Sequence, residues 1–238
     1  MTENEIRTEF DVMYNNISSG AAPNLNDFER SLFLTRAQDE LVRMYYAGTN
    51  ARYTSFEADE EARRYLDTLI TEETTAPEAH GNKGKFKEYS VPKPADAMYI
   101  LRENAENGSE GCRGGTEVAV NPVRHEDLNR LLANPFKAPN DRKCVRYDTA
   151  GAGGSVVFRI VSSCPLSGYT VTYLKKPKAV VLGDLTEFEQ DIEGATSWQG
   201  HDIPDTLMHK VIRRACELAK SAYTGDLGST FAVNARDL

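Results

Sequence analysis

In the run Tyr169-Thr170-Val171-Thr172-Tyr173-Leu174-Lys175-Lys176-Pro177-Lys178-Ala179-Val180-Val181-Leu182, Tyr169, Val171 and Tyr173 alternate with Thr170, Thr172 and Leu174. A period of two in β-branched and aromatic residues specifies a strand. Pro177 cannot donate to a ladder, so pairing is expected to end or bend between Lys175 and Lys178. Ala179 to Leu182 form a short apolar run that must be buried against another part of the chain. An acidic loop follows, and then Ile203 to Tyr223, the clearest amphipathic helix in the sequence. A β-rich part therefore hands the chain back to a helical part here.

Working upstream, Lys143–Tyr147 and Val156–Val161 read as two further strands, joined by Ala-Gly-Ala-Gly-Gly-Ser. The short spacings favour antiparallel hairpins over parallel crossovers. Between Val123 and Pro139 a short helix is expected. Glu126 and Asp127 lie at its positive end, Leu128, Leu131 and Leu132 on its buried face, and Pro135 stops it. Strand signals recur at Thr116–Val120 and Phe86–Val91. Ala97–Leu101 is too short for periodicity to choose between helix and strand. Asn104–Gly115 reads as a mobile loop, and Ala76–Gly84 as a domain boundary or exposed loop.

The N-terminal third is helical. Ile6, Phe10, Met13, Tyr14 and Ile17 repeat at helical spacing, and the pattern halts at Ser18-Ser19-Gly20, with Pro23 soon after. A second helix starts at Asn26, which with Glu29 has the form of a capping box. Its apolar residues, among them Phe28, Phe33, Leu34, Met44 and Tyr45, point around most of the circumference. Such a helix is central to a bundle or lies at a subunit contact. Thr54 and Glu57 repeat the capping pattern before a third helix, which ends in the acidic, threonine-rich Thr71–Thr75. Helices, then strands, then a helix make an α+β chain: a helical bundle from both chain ends (1–75 and 203–238) and an antiparallel β-sandwich-like middle part (76–202) with long loops.

A chain of 238 residues, 40% hydrophobic and 27% charged, can bury a substantial core without disulfides or metals. The longest apolar run, Ala97–Leu101, is too short to span a bilayer, and the first residues lack the features of a secretory signal, so folding in a cytoplasm is expected. The net charge of −8 argues against phosphate-backbone binding as the main activity. Four cysteines, Cys112, Cys144, Cys164 and Cys216, have no close pair and read as free thiols.

The residues offer no catalytic centre. Gly151, Gly153 and Gly154 lack the lysine and the Ser/Thr of a phosphate loop and precede a strand, so a hairpin tip is the better account. His80, His125, His201 and His209 have no partner at metal-ligand spacing. An acid/base pair is imaginable among Asp184, Glu187, Glu189, Asp191 and Glu193, but charged loops of this kind are usually solvated. No G-x-S-x-G nucleophile motif occurs. Lys175, Lys176 and Lys178 could touch an acidic neighbour or guard a sheet edge. Trp198 is either an anchor for a protein contact or a staple over its own core.

The residues Phe10–Ile17, Leu25–Val42, Asn134-Pro135-Phe136-Lys137, the Tyr173–Pro177 corner and Ile203-Pro204 together resemble virion structural proteins of crAss-like and related short-tailed bacteriophages. Those proteins sit in the head-to-tail connection as tail-adaptor, gatekeeper or ring proteins. The resemblance spans most of the chain and brings no active-site residues with it. It implies a non-enzymatic virion protein, assembled in the host bacterial cytoplasm without cofactor or metal. A dodecameric homo-oligomeric ring below the portal would extend the channel, let DNA pass without specific binding, and dock the next tail component. The interface candidates are Phe28, Phe33, Leu34, Met44, Tyr45, Lys175, Lys176, Lys178 and Trp198. The alternative from another class is a phage-carried monomeric hydrolase or cell-wall-binding module using the acidic loop. A weaker third is a nucleic-acid-binding regulator, which would need a basic stripe.

Overall fold

The alternation that begins near Tyr169 produces β8 (Leu166–Lys175), whose inward residues Tyr169, Val171 and Tyr173 are buried. The computed structural model describes residues 1–18, 24–48, 56–108, 112, 114–151, 154–186 and 190–224. Ser19-Gly20, Pro23, Thr54 and Gly153, which figure in the sequence reading, lie outside the described residues. Among the described residues there are five α-helices and eight strands. The chain divides into two compact units, one formed by Met1–Leu69 with Lys176–Leu238 and the other by Ile70–Lys175.

In the first unit, α1 (Glu3–Ser18), α2 (Asp27–Ala47) and α3 (Glu60–Leu66) are followed at the far end of the chain by α5 (Asp205–Thr224). Leu207, Met208, Val211, Ile212, Ala215, Cys216 and Ala219 form one buried stripe on α5, at the spacing an amphipathic helix requires. This helix packs against α1 and α2. The Asn26 box is complete: its side chain accepts from Glu29 N at 2.8 Å, and Glu29 Oε2 accepts from Asn26 N at 2.9 Å. For α3 the cap is Asp59, whose carboxylate accepts from Glu61 N at 2.9 Å. The start expected at Thr54 is therefore displaced.

The Ala179–Leu182 run is buried without belonging to any strand. Three polar residues on one side of α2 take the place of a neighbouring strand. Thr35 Oγ1 accepts from Val180 N at 3.1 Å, Ser31 Oγ accepts from Leu182 N at 2.8 Å, and Gln38 Nε2 donates to Lys178 O at 2.8 Å. Ala179 and Val181, with Leu185, Ile192 and Ala195, pack under Phe28 and Leu32. Thus α2 reads as apolar nearly all round because its own unit covers it from more than one side. At the end of the run Gly183 has φ 75°, and a Cβ there would stand 2.8 Å from Asp27 Oδ2.

In the second unit the strands are β1 (Ile70–Thr75), β2 (Glu78–Lys83), β3 (Phe86–Pro92), β4 (Ala97–Asn107), β5 (Glu117–Pro122), β6 (Lys143–Ala150), β7 (Val156–Ser162) and β8. They form one sheet in the order β1-β8-β4-β5-β6-β7-β3-β2. The expected sandwich of two sheets is thus a single sheet, and register shifts between β4 and β8 at three places bend it. One pair, β5 with β6, is parallel, contrary to the all-antiparallel expectation. The connection between them runs through α4 (His125–Ala133), making a βαβ crossover.

Successive residues go to opposite faces. Cys144 and Ile160 join Tyr89, Val91, Phe158, Tyr169, Val171 and Tyr173 in one core. Val145 and Val161 join Phe86, Leu128 and Tyr147 in the other, which α4 lines with Leu131 and Leu132. Several segments read as helix end or loop are strands. Thr71–Thr75 is β1, paired residue for residue with β8. Most of Ala76–Gly84 is β2, and β4 continues to Asn107. The thiol expectation is also corrected: Cys112 and Cys164 form a disulfide across 52 residues, while Cys144 and Cys216 are free and buried.

Candidate functional site

The described carboxylates of the acidic loop, Asp184, Asp191 and Glu193, are held in structural work. Asp184 Oδ1 accepts from Thr186 N at 2.9 Å and from Thr186 Oγ1 at 2.6 Å, and these bonds lower its pKa. Asp191 Oδ1 accepts from Gly194 N at 2.9 Å. Glu193 pairs with Lys176. Glu187 and Glu189 lie outside the described residues.

The basic corner is engaged in the same way. Besides Glu193, Lys176 faces Asp39 at 3.7 Å, and Lys178 faces Asp202 at 3.6 Å. Desolvation raises the pKa of Asp39 despite that ammonium. Lys176 thus ties the 176–202 segment to α2, whereas the Lys178–Asp202 pair lies within the segment. Lys175 closes β8 and is half-buried.

Of the apolar candidates, Leu34 is wholly buried and Phe28 packs on the 179–195 segment. Phe33 and Met44 are half-buried. The Tyr45 ring lies tilted against that of Tyr65, centroids 5.0 Å apart, and its hydroxyl accepts a hydrogen bond from Lys210 Nζ at 2.8 Å. Burial opposes the Lys210 ammonium, but the hydrogen bonds to Tyr45 and Tyr65 outweigh it, and its pKa is raised. Trp198 is half-buried with its ring 6.2 Å from that of His201.

In the sheet, Arg146 is 8% exposed, and its guanidinium reaches Glu103 at 2.8 Å and Asp148 while lying 4.1 Å over the Phe158 ring. Tyr169 donates to Glu103 at 2.7 Å. Burial raises the Glu103 pKa against the pull of Arg146 and of that hydrogen bond. Arg146 and Glu103 are buried while Asp148 is exposed at the edge of the cluster, which ties β4, β6 and β8 together in the sheet. His125 opens α4, with its ring near Asp148 O at 2.5 Å, and His209 faces Glu9 at 2.8 Å. Among the described residues no group of three or more His, Cys, Asp or Glu side chains could hold a metal ion. No helix among them is long and apolar enough to cross a membrane.

Two kinds of surface remain open for contact. Phe136 is 88% exposed, the most exposed of the large apolar side chains described. It is held on a fixed turn: Asn134 Oδ1 accepts from Phe136 N at 3.0 Å, Asn134 O accepts from Ala138 N at 2.9 Å, and Lys143 Nζ donates to Phe136 O at 2.9 Å. A sequence scan passes over Phe136 because it follows the helix-stopping Pro135 in no periodic pattern; the Asx-turn form of Asn-Pro-Phe was the available signal. The second surface is the pair of sheet edges, β1 and β2.

Comparison with known proteins gives this geometry its context. The sequence pattern of the family described as phage tail ring protein 3/4 matches residues 1–230. Ring protein 4/5 of Bacteroides phage crAss001 is 32% identical over 246 aligned positions, covering 99% of this chain and 99% of that one. Ring protein 3 of the same phage is 31% identical over 237 positions, covering 95% of this chain and 99% of its own. With a whole-chain family match and relatives named as ring proteins, a structural role in a phage tail is the role these similarities support, and the chain belongs to the phage tail ring protein 3/4 family.

Proposed function

We propose that this protein is a non-enzymatic virion component that closes into a homo-oligomeric, dodecameric ring in the head-to-tail connection. The ring extends the portal channel and presents a docking surface to the next tail component. The observation that carries this reading is full-length similarity to two proteins named for rings in one phage. The described carboxylates of the acidic loop are bound up in turns and ion pairs, which supports a scaffold in preference to an acid/base site.

A closed ring joins one patch on each copy to a different patch on the next. Phe136, on its rigid turn, has the character of an anchor for such a contact, with half-buried Phe33, Met44 and Trp198 as further contact residues. A net charge of −8 suits a channel wall past which DNA slides without sticking. The ring assembles in the host bacterial cytoplasm and is carried in the virion. Light scattering on the full-length protein, alone and with the portal protein, tests this. A defined ring mass, or co-migration with portal, is expected; a monomer that ignores portal would refute it.

A further inference from the structure

The outer strands β1 and β2 each bear a row of backbone N–H and C=O groups with no strand beyond them among the described residues. They differ in charge. β1 contains Glu72 and Glu73 and no basic residue. Both are exposed, and Glu72 already holds Arg102 at 3.1 Å. From His80 to Lys87, around the β2–β3 turn, there are one histidine and three lysines with no acid, in a chain of net charge −8. His80, Lys85 and Lys87 are exposed. Residues Glu78–Asn82 of β2 are all exposed, and no residue of β2 joins the two buried clusters of the sheet. Burial within one copy therefore gives this strand little reason to form.

We propose that the basic β2–β3 hairpin tip of one copy docks along the acidic β1 edge of the next copy. This rests on the ring reading above and specifies its contact. A ring needs a head and a tail on every subunit, and a sheet with an acidic edge strand on one side and a basic β2–β3 turn on the other supplies both, although β2 itself carries Glu78 as well as Lys83. Backbone groups left open on each edge add strand-to-strand hydrogen bonds to the charge attraction. The shift in β2 register between Ala79 and Gly81 shortens the run over which β2 can pair with any further strand, the β1 edge included, so charge selects the partner.

The test uses two full-length variants at exposed positions, Glu73→Lys and the double change Lys85→Glu with Lys87→Glu, weighed by mass photometry. Each alone should need roughly tenfold more protein to assemble than the wild type, as expected for like charges facing across a contact. An equimolar mixture should restore assembly, because alternating copies put opposite charges together again. Assembly of either variant at the wild-type concentration, or a mixture no better than its parts, overturns the edge contact and leaves the ring reading standing. A wild type that forms no ring under any condition, portal included, overturns both. Loss of DNA retention in the lysine variant with assembly unchanged overturns the contact by assigning the hairpin to nucleic acid.

Discussion

Arg146 sits where a positive charge is costly and is kept there by Glu103, Asp148 and the face of Phe158. Replacing it with methionine should cost about 3 to 5 kcal/mol, since the Glu103 carboxylate would be left buried without its partner. Urea unfolding measures this; a change within the scatter of surface mutations would mean that the pair carries no weight. Tyr169 gives a pH signature. Burial first, and the Glu103 charge second, push its pKa well above the ordinary phenol range. Tyr147 and Tyr173 are each pushed up to about 12, burial again leading. The unfolded phenols ionise near pH 10.0 while the folded ones keep their protons, so this stabilisation is whole below that pH. It is lost as pH rises through the folded values, at about 1.4 kcal/mol per pH unit for each tyrosine. Stability should therefore fall steeply from pH 10.0 to about 12, and Tyr169→Phe should make that fall shallower. Phe136→Ser, at an exposed site, should leave the melting temperature within about 1 °C while weakening self-association roughly tenfold; sedimentation velocity reads the second effect and calorimetry the first.

Among the elements, α2 carries the clearest division of labour. Ser31, Thr35 and Gln38, at helical spacing, hydrogen-bond the backbone of the 178–182 segment as an adjoining strand would. Thr35→Val keeps the shape but removes the acceptor for Val180 N, so a loss of about 1 to 3 kcal/mol is expected in chemical denaturation. Asn26→Ala removes half of the capping box and should cost about 1 kcal/mol. This box was legible in the sequence because it is written within four residues. The need of Ala179–Val180–Val181–Leu182 for burial was legible too, from composition alone. What satisfies its backbone was not, because Ser31 and Leu182 meet across 151 positions of chain. The same physics explains β1: Ile70-Thr71-Glu72-Glu73-Thr74-Thr75 is acidic enough to pass for a helix end, and only the ladder supplied by β8 makes it a strand. Likewise Cys112 and Cys164 are brought together by the sheet, with no local spacing to announce it.

For the whole molecule, the mixed helical and β character followed from periodicity, whereas the single sheet did not. Alternation says that a strand has two faces; it does not say which strands lie side by side or where an edge is left open. The parallel β5–β6 pair turned on recognising that α4 (His125–Ala133) crosses between two strands of one sheet. The surfaces that would join copies were the least legible, because Phe136, the acidic β1 edge and the basic β2–β3 tip acquire meaning only once the fold displays them. Helix α2, whose apolar girth first suggested a subunit contact, has much of that surface occupied within its own unit. Self-assembly therefore rests on family membership and on these exposed features. Electron microscopy of the purified full-length protein, viewed end-on with and without portal, tests it most directly: closed dodecameric rings around an open channel are predicted, and a field of single, unassociated particles under both conditions would contradict it.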